Sequence, residues 1–214
     1  MRYALVVISL LFLCSREVPV DDENHGTYIP FNELKLRQEP APRTVIWGSK
    51  VSDAFRKALY AGCNEECLEP DPIMACIAFE TGKKFSPSVK NMAGSGAVGL
   101  IQFMPDTAKY LGTSTALLAA MTAEQQLAYV FKHFHPYRNR LVTITDYYMT
   151  ILYPVAIGQP NDYVLFRESY MGRTNLVAYV QNKGLDRDHN GLITKIEAAM
   201  PVIELFEEGK KYIK

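Results

Sequence analysis

Apolar residues recur at the three- and four-residue spacing of an α-helix through much of the chain, and this periodicity limits the folds open to it. In the first such run, Val51, Phe55 and Leu59 share one helical face before Gly62. Stretches that alternate apolar and polar residues, as half-buried strands do, are scarce. The sequence therefore predicts a mainly α-helical fold, with at most a small hairpin around residues 85–100.

Helix-capping residues stand at the ends of several of these runs. Thr122 with Gln125 has the pattern of a capping box, in which each side chain accepts a hydrogen bond from the other residue's backbone N–H. Asp71-Pro72 is typical of an N-cap followed by proline at the first helical position. Thr145 precedes a further run that Pro154 ends. These signals predict helices that begin after Asp71, Thr122 and Thr145.

The overall composition is that of a globular protein. Of the 214 residues, 48% are hydrophobic and 21% are charged, and this length suits one domain with modest additions. Lys plus Arg and Asp plus Glu both number 23, so the formal net charge is zero. Such a chain lacks the long-range positive field that draws proteins onto nucleic acid, and we expect no nucleic-acid partner.

The N-terminal segment 1–15 has the features of an export signal. Arg2 precedes an apolar run that is shorter than the roughly 20 residues needed to span a bilayer. No clean cleavage site follows, so cleavage, acylation at Cys14 and retention with transient membrane contact all stay open. Residues 16–50 are acidic and proline-rich without a sustained period, which indicates a linker or extended arm.

The body of the chain contains an odd number of cysteines, namely Cys63, Cys67 and Cys76. An odd number argues against a complete disulfide framework, although Cys63 could pair with either of the others in an oxidising compartment. A zinc site is disfavoured, because no fourth ligand follows at the required spacing. Cys76 lies in an apolar helical run, where a small buried residue is the usual role.

Glu80 stands where a proton-donating carboxylic acid could be built. It follows the apolar run Ile73–Phe79 and falls in the last turn before Gly82. Burial and the negative end of a helix dipole both favour the neutral form of a carboxyl group. An acid that keeps its proton near neutral pH is what cleavage of a glycosidic bond requires. Many glutamates in such positions are solvated surface residues, so position alone leaves the role of Glu80 open.

Glu80-Thr81 is followed by Phe85 and then by the glycine-rich stretch Gly94–Pro105. These residues resemble the signature of lytic transglycosylases with a soluble-transglycosylase-type domain, which is lysozyme-like and of the goose type. The sequence departs from the family pattern where Thr81 and Ile101 replace the usual serine and methionine, and where Ser95-Gly96-Ala97 is shorter than its counterpart. The resemblance implies that Glu80 is the single catalytic acid and base.

The same resemblance implies a set of substrate-binding residues. Gln102 and the backbone around Gly96 would line the sugar groove, since glycines allow close approach to the main chain and an amide can bond an N-acetyl group. The full predicted set is Phe85, Ser95, Gly96, Gln102, Met104, Tyr147 and Tyr148. The family places a tyrosine near its glutamate in an Ala-Tyr-Asn-Ala-Gly context, which is missing here. Tyr148, with Tyr147 close behind, is the nearest candidate, in a version similar to that of phage-encoded relatives.

A twelve-residue segment near the C-terminus fits the EF-hand calcium loop at every position. Oxygen ligands fall at the first, third and fifth positions, glycine at the sixth, a backbone carbonyl at the seventh and glutamate at the twelfth. The predicted ligands are Asp186, Asp188, Asn190, Leu192, Thr194 and Glu197. Apolar residues on both sides predict a helix-loop-helix frame. A lone loop of this kind is expected to clamp the structure rather than to sense calcium.

Together these features predict a lysozyme-like domain at 51–170 and an EF-hand-like subdomain at 171–214. The expected protein is an exported, monomeric enzyme, periplasmic or wall-associated, that acts on peptidoglycan glycan strands with no cofactor for catalysis. A phage-encoded lytic or virion protein fits equally. Two alternatives stay open, a hydrolytic muramidase acting at the same bond and a non-catalytic, calcium-dependent wall-binding protein. Hydrolysis with inversion would need a second carboxylate, for which Asp106, Glu124 and Asp146 are candidates.

Overall fold

The computed structural model describes residues 44–90, 95–168 and 173–214, with side chains throughout except at 173–175. All of these residues belong to one compact unit. The predicted export signal and the arm up to residue 43 lie outside the described residues. The end of the predicted arm is part of the fold, since Val45, Ile46 and Trp47 are buried in the core.

The described ranges contain eight helices and one small sheet, which confirms a mainly α-helical fold. The helices are α1 (Asp53–Glu66), α2 (Pro70–Glu80), α3 (Pro105–Tyr110), α4 (Thr115–Ala120), α5 (Ala123–Phe134), α6 (Ile144–Leu152), α7 (Arg173–Asn182) and α8 (Lys195–Gly209). The strands β1 (Val164–Arg167) and β2 (Leu192–Thr194) pair antiparallel, with Val164 opposite Thr194. None of these helices is long and apolar enough to cross a membrane.

The sheet does not lie where the sequence predicted a hairpin. The described part of residues 85–100 forms no strand but two isolated antiparallel bridges, in which Val98 pairs with Lys90 and with Phe103. Gly96 and Gly99 have positive φ values there, so the chain curls instead of extending into strands. The observed strands are distant in sequence, and β2 belongs to the predicted calcium loop.

Three helix boundaries differ from the sequence prediction: the end of α1, the start of α6 and the start of α2. α1 continues through Gly62 to Glu66. The glycine has a packing role there, because a Cβ would overlap the Phe131 ring of α5. α6 begins after Thr143 rather than Thr145, with Asp146 completing a capping box. The capping box of Thr122 and Gln125 at the start of α5 is confirmed.

α2 is the central helix of the core, and its burial explains its composition. The consecutive residues 73–78 are all buried, so the helix is apolar on every side rather than amphipathic. α6 and α8 pack against it. The helix begins at Pro70, and Asp71, predicted as its N-cap, instead accepts a hydrogen bond from Ile46 N–H at 3.0 Å. Glu80 is its last residue, as the sequence predicted.

Candidate functional site

The chain turns sharply after Glu80, and Thr81 fixes the turn. The buried Thr81 hydroxyl donates to the Ile77 carbonyl at 2.6 Å and accepts from Phe85 N–H at 3.0 Å. Lys83 and Phe85 both adopt positive φ in this turn. The turn ends α2 and leaves the Glu80 side chain facing a cavity.

This cavity, the Glu80 cavity, has a volume of about 650 Å³. Its lining residues are Phe79, Glu80, Thr81, Gly82, Lys84, Ser88, Val89, Lys90 and Gln102. The fold thus brings together Glu80, at the end of α2, and Gln102, near the end of the segment that connects α2 to α3. Four lining residues were not predicted from the sequence, namely Lys84, Ser88, Val89 and Lys90. For Lys84 the sequence did contain a signal, the adjacent basic residues Lys83 and Lys84 after Gly82.

The Glu80 carboxyl is set in a low-polarity environment. Burial raises its pKa from 4.5 to about 8. Among the described residues, none forms an ion pair or hydrogen bond with this carboxyl that would stabilise its charge. The residue is only partly buried and keeps contact with the cavity. At neutral pH Glu80 therefore holds a proton and can present it to a ligand.

Tyr148 lies beside Glu80 on the protein side of the cavity. Its side chain is 3% exposed, and its ring meets that of Phe79 edge-on at 5.5 Å between centroids. Burial raises the pKa of the Tyr148 hydroxyl well above its usual range, and a charge on Glu80 would raise it further. Cys76 lies one turn before Glu80 on α2. Burial raises the pKa of its thiol too, and a charge on Glu80 would raise it further. The floor beneath Glu80 is therefore formed by buried side chains.

Gln102 is held in a fixed orientation. It adopts a positive φ, and its amide nitrogen donates to the carbonyls of Val89 and Gly99, both at 3.1 Å. Because the nitrogen is occupied by backbone partners, the amide oxygen is the group left to accept a hydrogen bond from a ligand.

A second cavity, of about 600 Å³, adjoins the first. Its lining residues are Lys90, Gly96, Ala97, Val98, Thr115, Ala116 and Ala119, so Lys90 borders both cavities. Gly96, one of the predicted groove residues, lies here and not beside Glu80. Ser95 lies outside both linings, and its hydroxyl accepts from Ala97 N–H at 3.3 Å within the turn.

Three other predicted substrate residues lie away from both cavities. Phe85 is buried, with its ring 5.8 Å from that of Trp47. The Tyr147 hydroxyl accepts from Glu69 N–H at 2.8 Å, at the opposite end of α2 from Glu80. Met104 is 46% exposed at the start of α3 and lines neither cavity. Phe85 and Tyr147 are therefore core residues, and their positions do not support contact with a substrate.

The candidates for a second carboxylate are all placed elsewhere. Asp106 is exposed on α3, and Glu124 accepts from the Ser52 hydroxyl at 2.6 Å on the surface. Asp146 is buried and pairs with Lys195 at 2.6 Å. Burial alone would raise the pKa of Asp146, but hydrogen bonds from Lys195, Gly158 and Thr143 lower it to about 2. Among the described residues, Glu80 is the one carboxyl that lines either cavity.

The predicted calcium loop folds back on itself, between α7 and α8. Carboxylate oxygens of Asp186, Asp188 and Glu197 lie within 4.8 Å of one another, so they could hold a metal ion. Gly191 makes the sharp turn with φ 80°. The other predicted ligands surround this cluster: Leu192 and Thr194 are in β2, and the Asn190 side-chain oxygen accepts from Leu192 N–H at 2.8 Å.

Internal hydrogen bonds hold the acidic side chains of the loop. Asp186 accepts from the Tyr179 hydroxyl at 2.6 Å and from Gly191 N–H at 3.0 Å. Glu197 forms the capping box of α8 with Thr194. The carboxylates are thus gathered and oriented by the loop backbone and its flanking helices.

The cysteines form no disulfide among the described residues, with Cys63 and Cys76 buried and Cys67 exposed. No family model, no curated protein and no solved structure matches this chain.

Proposed function

We propose that this protein is an exported lytic transglycosylase that cleaves the β-1,4 bond between N-acetylmuramic acid and N-acetylglucosamine in peptidoglycan. One observation carries the proposal: a carboxyl group that is protonated at neutral pH lines a cavity in which no second described carboxyl is found. A single acid that can also act as a base suffices for the transglycosylase reaction, whereas inverting hydrolysis requires two carboxyl groups.

In the first step, protonated Glu80 donates its proton to the glycosidic oxygen as the bond from that oxygen to C1 of the muramic acid breaks. The leaving sugar departs with the new hydroxyl. In the second step, the Glu80 carboxylate accepts the proton of the muramic acid C6 hydroxyl, whose oxygen attacks C1. This closes a 1,6-anhydro ring and returns Glu80 to its protonated form, so that no water is consumed.

Two neighbours support these steps. The Gln102 amide oxygen can accept a hydrogen bond from an N-acetyl N–H and so orient the sugar ring. The apolar floor formed by Phe79 and Tyr148 keeps bulk water from one side of the carboxyl, which maintains its raised pKa. Exclusion of water also favours attack by the C6 hydroxyl.

The proposal predicts products that end in 1,6-anhydro muramic acid. These products are lighter by one water than the reducing-end products of a hydrolase, and mass spectrometry of digested, purified cell walls distinguishes them. A muramidase of known hydrolytic mechanism provides the control digest. Reducing ends alone would assign the enzyme to the hydrolytic muramidases. No cleavage at all would favour the non-catalytic, wall-binding alternative.

We also propose that the loop Asp186–Glu197 binds calcium. The three clustered carboxylates, the Asn190 and Thr194 side chains and the Leu192 carbonyl supply the oxygen ligands that this ion prefers. The cluster lies between α7 and α8, and α8 packs on the helix that ends at Glu80. The role is structural, because none of these residues lines the Glu80 cavity.

Calcium is expected to raise the stability of the protein. At a concentration about a hundredfold above Kd, an ion that binds only the folded state contributes about 2.7 kcal/mol, so Tm should rise with calcium and fall with chelator. The Glu197→Gln variant should lose most of this response. Glu207→Gln makes the same change on the exposed side of α8 and should retain it. Isothermal titration that detects no binding at millimolar calcium would contradict the proposal.

A further inference from the structure

Two lysine side chains on the cavity linings suggest a more specific substrate than a neutral glycan. Lys84 and Lys90 are exposed side chains on the lining of the Glu80 cavity, and Lys90 continues into the second cavity. Neither ammonium group forms an ion pair or cation–π contact with any described residue. By contrast, the adjacent Lys83 turns away to pair with Glu208 at 2.7 Å.

These lysines do not serve to ionise Glu80. A nearby ammonium group would favour the charged carboxylate and lower the pKa of Glu80, yet that pKa is raised, with burial as its cause. With Glu80 neutral, the charges left on the linings of both cavities are positive. A protein of zero net charge therefore presents a local positive surface at its candidate active site.

The second cavity is lined mostly by small side chains. Its walls are formed by glycine, alanine, valine and threonine, whose side chains leave room for a short peptide close to the backbone of residues 96–98. A glycan built only of neutral sugars carries nothing for the lysines to bind. Peptidoglycan differs from such a glycan in the short, carboxylate-bearing peptide attached to each muramic acid.

We propose that the second cavity binds this stem peptide, and that Lys90, with Lys84, pairs with its carboxylates. The inference rests on the proposed function and names the part of the substrate that gives it specificity. Bound in this way, the peptide would fix which sugar occupies the Glu80 cavity and would distinguish peptidoglycan from uncharged glycans.

The test compares native glycan strands with strands whose peptide carboxylates have been converted to amides, which removes charge and preserves size. An exposed ion pair contributes up to about 1 kcal/mol, or about fivefold in kcat/KM. Wild-type protein should therefore prefer native strands by about fivefold or more. The preference should weaken with salt, as the screening length falls from about 10 Å at 0.1 M to about 3 Å at 1 M.

The lysine variants locate the effect. Lys90→Gln and Lys84→Gln should each lower kcat/KM on native strands by about fivefold, and the double variant should no longer distinguish native from amidated strands. Lys83→Gln is the matched control and should behave as wild type, since its partner is Glu208. Equal cleavage of both strands by wild type would overturn the inference and leave the transglycosylase proposal standing.

A binding measurement separates the two proposals if no strand is cleaved. Calorimetric titration with a disaccharide carrying its stem peptide, and with its amidated form, needs no catalysis. Tighter binding of the native form that depends on Lys84 and Lys90 would support the peptide site even if the proposed reaction fails. Equal affinity for both forms, or an unchanged preference in the double lysine variant, would exclude it.

Discussion

Replacing Glu80 with glutamine is expected to reduce cleavage of purified cell walls by at least about a thousandfold while the fold is kept. The amide has nearly the same shape as the carboxylic acid but neither donates the proton that the leaving oxygen needs nor accepts the one from the attacking hydroxyl. Turbidity clearing and product release measure the loss. Glu65→Gln, the same change at an exposed site on α1, is the control and should retain activity.

The pH dependence of wild-type activity should reflect the ionisation of the Glu80 carboxyl. With a pKa of about 8, Glu80 is protonated at neutral pH and loses its proton as the solution becomes alkaline. The value of kcat/KM should therefore fall above about pH 8 with the slope of a single ionisation. A carboxyl at its ordinary pKa would instead lose activity from pH 4.5 upward.

The raised pKa also predicts that Glu80 lowers stability. Between pH 4.5 and about 8 the unfolded chain ionises Glu80 whereas the folded protein keeps the proton, so the free energy of unfolding falls with pH across this window. The change in pKa from 4.5 to about 8 corresponds to a loss of about 5 kcal/mol in the free energy of unfolding. Because Glu80 contacts water in the cavity, we expect a smaller loss of about 2 to 3 kcal/mol. Glu80→Gln should thus equal wild type at pH 4 and exceed it at pH 8.5 in denaturant unfolding.

Two results would contradict the assignment of Glu80. One is near-normal wall clearing by Glu80→Gln under conditions in which the variant is folded by circular dichroism. The other is equal stability of the variant and wild type at pH 8.5, which would show that the carboxyl is not confined as the structure describes.

Removing the Lys195 charge is expected to destabilise the folded protein strongly. The Lys195 side chain is 2% exposed and donates to Asp146 at 2.6 Å and to the Gln159 carbonyl at 2.8 Å. In Lys195→Ala, Asp146 keeps a buried charge without its counterion, which costs about 3 to 5 kcal/mol. Chemical denaturation at pH 7 measures the loss.

The exposed pair of Lys210 and Glu207 provides a matched control. Its nitrogen–oxygen distance is 2.7 Å, close to that of the buried pair, but both side chains are at least half exposed. Lys210→Ala should therefore cost no more than about 0.5 kcal/mol. A loss for Lys195→Ala as small as that of Lys210→Ala would show that water reaches Asp146.

Acid conditions should remove the stabilisation that the pair of Asp146 and Lys195 provides. The pKa of Asp146 in the folded protein, about 2, is below its ordinary value of 3.8, so the pair's contribution is present above pH 3.8 and is lost as pH falls through 2. The Asp146→Asn, Lys195→Met double variant removes both charges and should recover part of the stability that Lys195→Ala loses.

Local sequence patterns determined those features that depend on neighbouring residues. The capping box of Thr122 and Gln125, the position of Glu80 at a helix end and the spacing of the loop Asp186–Glu197 all follow from contacts within a few residues. Such contacts form in the same way wherever the segment lies in a fold. The apolar periodicity likewise predicted the helical class, because residues at three- and four-residue spacing share one face of a helix that can be buried.

Tertiary packing alone decided which side chains share the Glu80 cavity. Tyr147 and Tyr148 are adjacent in sequence, yet α6 directs one to the start of α2 and the other to Glu80 at its end. Gln102 reaches the cavity with a positive φ and a side-chain hydrogen bond to the Val89 carbonyl. Lys90 reaches it in a segment that pairs with Val98. The burial that raises the pKa of Glu80, and the pairing of Asp146 with Lys195, depend on elements far apart in the chain, because burial is a property of the assembled core.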